Sequence, residues 1–137
     1  MRNFLSAVIV SLAVMGAAAC GDDAATGPVD VQGTYSLRTA GGFNLPATFT
    51  NGSSRLEVKS GTLLLEASRF DATLSIEIDD TPSILTYAGL YSQSGNRITF
   101  DGTDQDGIDV SLVGIIDGNT ITITDPDTGI QLVFRKN

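Results

Sequence analysis

The clearest pattern in this chain is a strict alternation of apolar and polar residues. Over residues 70–79 every second residue is apolar, and the residues between them are acidic or carry a hydroxyl group. The same alternation returns over residues 110–116, 121–123 and 130–134. Because successive side chains of a β-strand point to opposite faces of the sheet, each segment predicts a strand with one buried and one solvent-facing side. Beyond residue 19 we find no segment with the 3.6-residue period of an amphipathic helix.

Short turn-forming sequences separate these strands at regular intervals. They are rich in Gly, Asn and Asp, which accept the positive φ angles of tight hairpins. They lie at residues 41–42, 51–52, 79–82, 95–96, 101–102, 106–107, 117–119 and 125–129. Short strands at even spacing predict an all-β fold, an antiparallel meander of eight to ten strands. We expect a small closed barrel, because closure removes exposed sheet edges. A β-sandwich is the alternative.

One predicted strand contains a change of phase. Leu56 and Val58 are apolar at even positions, whereas Leu63 and Leu65 are apolar at odd positions. A slip of one residue would turn each following side chain to the opposite face of the sheet. The sequence therefore predicts a β-bulge or a bend at Ser60-Gly61.

The first thirty residues are typical of an export signal followed by a tether. Arg2 precedes an apolar stretch over residues 4–15, and small residues over 16–19 lead directly to Cys20. This order is typical of a secretory signal peptide, and the apolar stretch is shorter than the roughly 20 residues that span a bilayer. We predict a cleaved signal peptide over residues 1–19, a flexible tether over 20–30 and one β-barrel domain over 31–137.

Residues 17–20, Ala-Ala-Ala-Cys, resemble the lipobox of bacterial lipoproteins, although Ala17 stands where that family usually has Leu. In the family the cysteine is lipidated, the signal is cut before it, and the new amine is acylated. The resemblance implies a lipid anchor at Cys20 that holds the protein in the cell envelope. In lipoproteins sorted as in Gram-negative envelopes, an Asp directly after the lipidated cysteine favours retention in the inner membrane. This chain has Gly21 at that position, so the resemblance favours the outer membrane. An ordinary signal peptide that leaves Cys20 as a free thiol is the alternative.

Composition narrows the available chemistry. The chain has 8 Lys and Arg against 16 Asp and Glu, a net charge of −8. This argues against a nucleic-acid partner, whose binding needs a basic face. There are no histidines and there is one cysteine, which removes Ser-His-Asp and Cys-His catalysis and zinc sites built from His and Cys. We expect no enzymatic activity, no cofactor and no metal site of that kind.

Gly33-Thr34-Tyr35, at the start of the first predicted strand, resembles the Gly-x-Trp that opens lipocalins and their bacterial relatives. In that family an Arg near the end of the last strand packs over the aromatic ring, and Arg135 occupies the matching place. Tyr35 departs from the family's Trp, and the family's middle motif has no counterpart. The opening is also similar to that of META-type domains, which usually include a helix. The lipocalin resemblance implies a small barrel with structural roles for Gly33, Tyr35 and Arg135.

Tyr87 and Tyr91 share one face of a predicted strand with Leu85 and Gly89. Gly89 leaves space between the two rings, so Tyr87, Gly89 and Tyr91 are candidates for an aromatic wall against a small apolar ligand or a sugar. Ordinary packing, with the glycine relieving a bent strand, is the favoured interpretation.

Asp101, Asp104, Asp106 and Asp109 crowd one predicted loop, part of which looks like a calcium loop. An EF-hand needs a Glu at its twelfth position, and this chain has Ile115 there. A hairpin in which Asp and Gly serve the turn is favoured, and the question of calcium stays open.

Glu57, Glu66 and Glu77 are the candidates for a pair of glycosidase carboxylates. The alternation places all three on the solvent face, so a solvated surface is the better interpretation. We therefore expect a non-enzymatic cell-envelope lipoprotein with a structural or interaction role, its partner being another envelope protein. The alternative is lipocalin-like binding of a small apolar ligand. An eight-stranded barrel is just wide enough either to be filled or to hold one ligand, so a cavity would separate the two.

Overall fold

The structure, a computed structural model, describes residues 30–137. Ten β-strands occupy this part of the chain: β1 (Gly33–Ala40), β2 (Phe43–Asn44), β3 (Ala47–Asn51), β4 (Ser54–Glu66), β5 (Arg69–Ile78), β6 (Thr81–Ser94), β7 (Arg97–Asp104), β8 (Asp109–Asp117), β9 (Thr120–Thr124) and β10 (Gln131–Lys136). These residues include no helix long and apolar enough to cross a membrane. The predicted signal peptide, Cys20 and the predicted tether up to residue 29 lie outside the described residues.

Eight of the strands form a closed antiparallel barrel. From β4 to β10 each strand pairs with the next one along the chain, and β10 pairs with β1. The barrel closes where β1 pairs with the second half of β4, with Tyr35 opposite Leu63. The two extra strands extend the wall, because β2 pairs with the end of β1 and β3 with the first half of β4. The predicted all-β meander barrel is confirmed, and the sandwich alternative is wrong.

The barrel has two different ends. At the filled end, where β1 begins, the chain before the strand is buried: Tyr35 Oη donates a hydrogen bond of 2.8 Å to the carbonyl oxygen of Val31. The rings of Phe70 and Phe100 meet edge to face there, with centroids 5.1 Å apart. The largest fully buried side chains are Phe100, Leu63, Leu65, Ile98 and Ile121. At the open end, where β1, β5 and β7 finish, the side chains leave space.

The predicted bulge in β4 is confirmed, but it lies at Lys59, one residue before the predicted Ser60-Gly61. Val58 pairs with Ile76 and Ser60 pairs with Ser75, so Lys59 between them has no counterpart in β5. The extra residue corrects the change of phase between the two halves of the strand. As a result the apolar residues on both sides of the bulge face inwards.

Candidate functional site

A cavity of about 430 Å³ lies inside the barrel at its open end. Inward-facing side chains of β5, β6, β8, β9 and β10 form its apolar wall: Ala72, Leu74, Tyr87, Val110, Leu112, Ile123, Leu132 and Phe134. Small-molecule pockets in proteins have volumes of roughly 300–1,000 Å³ and are mostly apolar. The volume and the lining of this cavity therefore match those of a site for one small ligand.

The small side chain of Ala72 helps to leave space at the open end of the barrel. Ala72 lies opposite Tyr87 in the β5–β6 pair, and Ile123 lies opposite Leu132 in the β9–β10 pair. In a barrel of eight strands these two pairs stand on opposite sides of the axis. Ala72 contributes one methyl group, so the space in front of Tyr87 remains open. Large aromatic rings fill the corresponding space at the filled end.

Acidic side chains form part of the cavity's mouth. Asp104 at the end of β7 and Asp125 directly after β9 are half-buried, and the exposed residues Asp109 and Asp127 lie farther out. Ile108, in the loop between β7 and β8, also lines the mouth and is 61% exposed. Among the described residues that line the cavity there is no Lys or Arg. The site therefore combines an apolar interior with a negatively charged mouth.

Two of these aspartates also hold the loops at the mouth. Asp104 Oδ1 accepts hydrogen bonds from the backbone N–H groups of Asp106, at 2.8 Å, and Ile108, at 2.9 Å. Asp125 Oδ1 accepts one from the backbone N–H of Asp127 at 2.9 Å. Such bonds are typical of Asp in tight turns. In each carboxylate the other oxygen, Oδ2, has no hydrogen-bond partner among the described residues.

The aspartates act on Tyr87 through their charge. Burial raises the pKa of Tyr87 above its ordinary value, and the negative charges of Asp125 and Asp104 raise it further, since both disfavour a phenolate. The phenol group therefore stays neutral at pH 7. Tyr87 lies directly opposite Asp104 in the β6–β7 pair, and both line the cavity, so the tyrosine stands between the apolar wall and the charged mouth.

The structure separates the three residues of the predicted aromatic wall. Tyr87 lines the cavity, whereas neither Gly89 nor Tyr91 is among the lining residues. The ring of Tyr91 lies towards the filled end, with its centroid 6.5 Å from that of Phe100. Gly89 pairs with Gly102, and a Cβ atom on either glycine would collide with the backbone of the neighbouring strand. The glycine pair allows β6 and β7 to approach each other closely, which is the packing interpretation.

The residues of the lipocalin resemblance are placed differently from the expectation. Tyr35 is 2% exposed and points inside the barrel. Its partner in β10 is Lys136, while Arg135 is exposed opposite Ser36. Residues opposite each other in an antiparallel pair share a face, so the expected packing of Arg135 over the ring of Tyr35 is wrong by one residue. Gly33 makes room for the cation that does lie there, since a Cβ on it would be 2.7 Å from Lys136 Cε.

The remaining acidic candidates lie away from the cavity lining. Glu57 and Glu77 are on the outer wall, in ion pairs with basic residues of β4, and Glu66 is exposed near the filled end. The predicted turn at residues 101–102 is wrong, because both residues lie within β7, where Asp101 Oδ1 accepts a hydrogen bond from Ser111 Oγ of β8 at 2.8 Å. Within residues 30–137 no three acidic, His or Cys side chains are grouped so that they could hold a metal ion.

The apolar phase of two strands indicates the acidic mouth of the cavity, although the turn pattern does not. Asp104 continues the inward phase of Ile98 and Phe100, and Asp125 continues that of Ile121 and Ile123. An acidic residue in the apolar phase of a strand points towards the interior of the barrel. The turn pattern alone predicts a hairpin role for each of them, with calcium as the alternative at Asp104.

A comparison of the chain with protein-family models, with curated proteins and with solved structures finds no match in any of the three.

Proposed function

We propose that this protein is a non-enzymatic lipoprotein of the cell envelope whose barrel binds a small apolar ligand in the cavity at its open end. The observation that carries the proposal is the apolar cavity of about 430 Å³. A barrel that served only to present its outer wall would gain stability from a filled interior, because empty apolar space forgoes packing contacts. The lipocalin-like alternative is therefore preferred over a purely structural role.

The energetics allow a modest affinity for a simple chain. An eight-carbon alcohol that left water completely would gain roughly 0.8 kcal/mol for each methylene group, about 6 kcal/mol in all. Lost translational and rotational freedom offsets part of this gain. We expect a dissociation constant of about 0.1 to 1 mM for 1-octanol. A natural ligand that made polar contacts at the mouth as well would bind more tightly.

The direction in which the chain enters the barrel supports an outward-facing mouth. Lys136 Nζ lies 3.5 Å from the carbonyl oxygen of Asp30, and Val31 is buried at the filled end. A tether over residues 20–30 that ran from a lipid anchor at Cys20 would join the barrel at this end. The mouth of the cavity would then face away from the membrane surface. We place the anchor in the outer membrane and propose that the ligand enters from the aqueous side.

The test is a titration of the protein, produced from the full-length chain, with 1-octanol, followed by NMR. We expect saturation with one site per chain. Ala72→Phe should fill the space in front of Tyr87 and weaken binding at least tenfold. Ala88→Phe is the matched control, because Ala88 is an exposed residue of β6 on the outer wall. If octanol does not bind, or if Ala72→Phe folds and binds octanol as well as wild type, the proposal is wrong.

The second candidate is an interaction role for the outer wall, and it too needs no catalysis. Four large apolar side chains of β6 and β8 are exposed there: Ile84, Leu90, Val113 and Ile115. Exposed apolar residues favour contact with another protein when they form a continuous patch. Leu90 in β6 and Ile115 in β8 are separated by β7, whose residues in those rows are the charged Asp101 and Arg97. The cavity is therefore the stronger observation.

A further inference from the structure

We propose that the ligand of this cavity is a cationic amphiphile, a molecule whose apolar part fills the barrel while its positively charged head group lies between Asp104 and Asp125. This inference rests on the proposed function, because it specifies which apolar ligands the cavity takes. The position of the two carboxylates, the electrostatics of the cavity and the distribution of the basic residues carry it.

Asp104 and Asp125 are the two half-buried charged groups of the cavity lining, whereas Asp109 and Asp127 are exposed. Both continue the inward phase of their strands, and both are half-buried where the cavity meets solvent. The loops use only Oδ1 of each carboxylate, in bonds of 2.8 to 2.9 Å. Both Oδ2 atoms are without a partner among the described residues. A head group that donates hydrogen bonds could therefore bind there without breaking the bonds that hold the mouth in shape.

The negative charge extends into the cavity. Burial raises the pKa of Tyr87, which forms part of the apolar wall, and Asp125 and Asp104 raise it further. The same charges that disfavour a phenolate at Tyr87 would attract a cationic head group beside this residue and repel a carboxylate or phosphate. The face of a tyrosine ring is also attractive to ammonium groups. Tyr87, Asp104 and Asp125 thus all favour a positively charged group on the ligand.

Among the described residues, no basic side chain lines the cavity or its mouth. Arg55 and Lys59 are bound in ion pairs on the outer wall. The filled end, where β5 and β7 begin and β10 finishes, holds four others: Arg69, Arg97, Arg135 and Lys136. Arg38 in the second half of β1 is nearer the open end, but it is exposed and is not among the residues that line the cavity. Fatty-acid carboxylates, which need a counter-cation, are therefore poor candidates for this cavity.

The experiment compares three probes with the same eight-carbon chain, octylammonium, 1-octanol and octanoate, on the protein produced from the full-length chain at pH 7 and low salt. We expect octylammonium to bind at least tenfold more tightly than octanoate, with octanol between them. At 0.5 M salt the ratio should fall, because exposed charges are screened. This comparison uses the wild-type protein and does not depend on any variant being stable.

Asp104→Asn combined with Asp125→Asn removes both charges and keeps an oxygen acceptor for each loop. We expect this pair to weaken octylammonium binding at least fivefold more than it weakens 1-octanol binding. The control pair is Asp71→Asn with Asp117→Asn, two exposed aspartates outside the cavity lining, which change the net charge equally. If octanol binds but octylammonium and octanoate bind equally well, the cationic class is wrong and the proposed function stands. If octanol does not bind, the proposed function itself has failed.

Discussion

Glu57 and Glu77 lie directly opposite each other on the outer wall of β4 and β5, and one lysine bridges them. Lys59 Nζ is 2.6 Å from Glu77 Oε2 and 3.4 Å from Glu57 Oε1. Like charges in opposite positions destabilise a sheet. The bridging lysine is the extra residue of the bulge, so the feature that corrects the phase of β4 also supplies the cation between two carboxylates.

We expect Lys59→Met to lower the melting temperature slightly, on the order of 2 °C. The effect is small because exposed ion pairs contribute little, and it is a loss because the two glutamates then repel each other without a cation between them. Adding Glu77→Gln should recover most of the loss, since it removes the repulsion. Thermal unfolding of the wild type and the two variants measures this. A double variant less stable than Lys59→Met alone would contradict the bridging role.

The charges at the mouth should be measurable through the acidity of Tyr87. With Asp104→Asn and Asp125→Asn, we expect the pKa of Tyr87 to move down towards its ordinary value, because the carboxylates raise it. The control pair at Asp71 and Asp117 should leave it unchanged. A pH titration of the tyrosine ring signals by NMR gives the comparison, and identical curves for both pairs would mean that the charges do not reach the cavity.

The raised pKa values of three tyrosines predict that the protein loses stability in alkali. Burial raises the pKa of Tyr35, Tyr87 and Tyr91 above the ordinary value of 10.0. The folded state therefore holds these protons more tightly than the unfolded state does. The stability from this source is fully present below pH 10.0 and is lost as the pH rises towards and through the raised pKa values. Urea unfolding at pH 8, 9.5 and 11 tests this.

Strand positions and inward faces could be predicted from the sequence, because a period of two is a local property. The segment from Phe70 to Ile76 faces as its alternation indicates, whereas Ile78 at the end of β5 is exposed. The change of phase in β4 correctly indicated a bulge. The seam between β1 and β4 could not be predicted, since that pairing joins residues about thirty positions apart, such as Tyr35 and Leu63. Nor could the cavity, which depends on the summed volumes of side chains from opposite walls.

For the site residues, the lipocalin-like motif gave a wrong position, whereas the alternation of apolar residues in the strands indicated the right one. Arg135 matched a family pattern by its place in the sequence, but a register difference of one residue put Lys136 on the face of Tyr35 instead. Asp104 and Asp125 lie in the apolar phase of their strands, and that phase alone would have placed them at the barrel's interior. Register is set by pairing with distant strands, so it is the part of the site that local patterns leave undetermined.

Gly89 should be among the least replaceable residues of the barrel. A Cβ atom there would collide with backbone atoms of Asp101 and Gly102, which cannot move without separating β6 from β7. We expect Gly89→Ala to reduce the free energy of unfolding by roughly 2–4 kcal/mol. Gly114→Ala is the control, because its nearest neighbours are side-chain atoms of Ile98 and Ile121 at 3.0 and 3.1 Å, which can shift. Equal losses in urea unfolding would contradict this account of the glycine pair.

Tyr35 and Arg135 should differ sharply in importance. Tyr35→Phe removes the donor of the buried hydrogen bond to Val31 and leaves that carbonyl unsatisfied, so we expect a loss of about 1–2 kcal/mol in the free energy of unfolding. Arg135→Ala on the exposed outer face should cost less than about 0.5 kcal/mol. Chemical denaturation of the two variants beside wild type measures both. If Arg135→Ala proved the more damaging, the arginine would have the structural role that the lipocalin pattern gives it.

Cys20, which lies outside the described residues, is the predicted point of attachment to the membrane. We expect Cys20→Ser in the native host to release the protein from the membrane fraction, because the hold would come from acyl chains and a single serine cannot replace them. Washing wild type with high salt should not release it, since salt screens charges and leaves hydrophobic attachment intact. The cavity is independent of the anchor, so the released variant should bind 1-octanol as wild type does. A Cys20→Ser protein that stayed with the membrane as well as wild type would show that lipid at this cysteine is not what attaches the barrel. If wild type were anchored but fractionated with the inner membrane, only the proposed sorting to the outer membrane would be wrong.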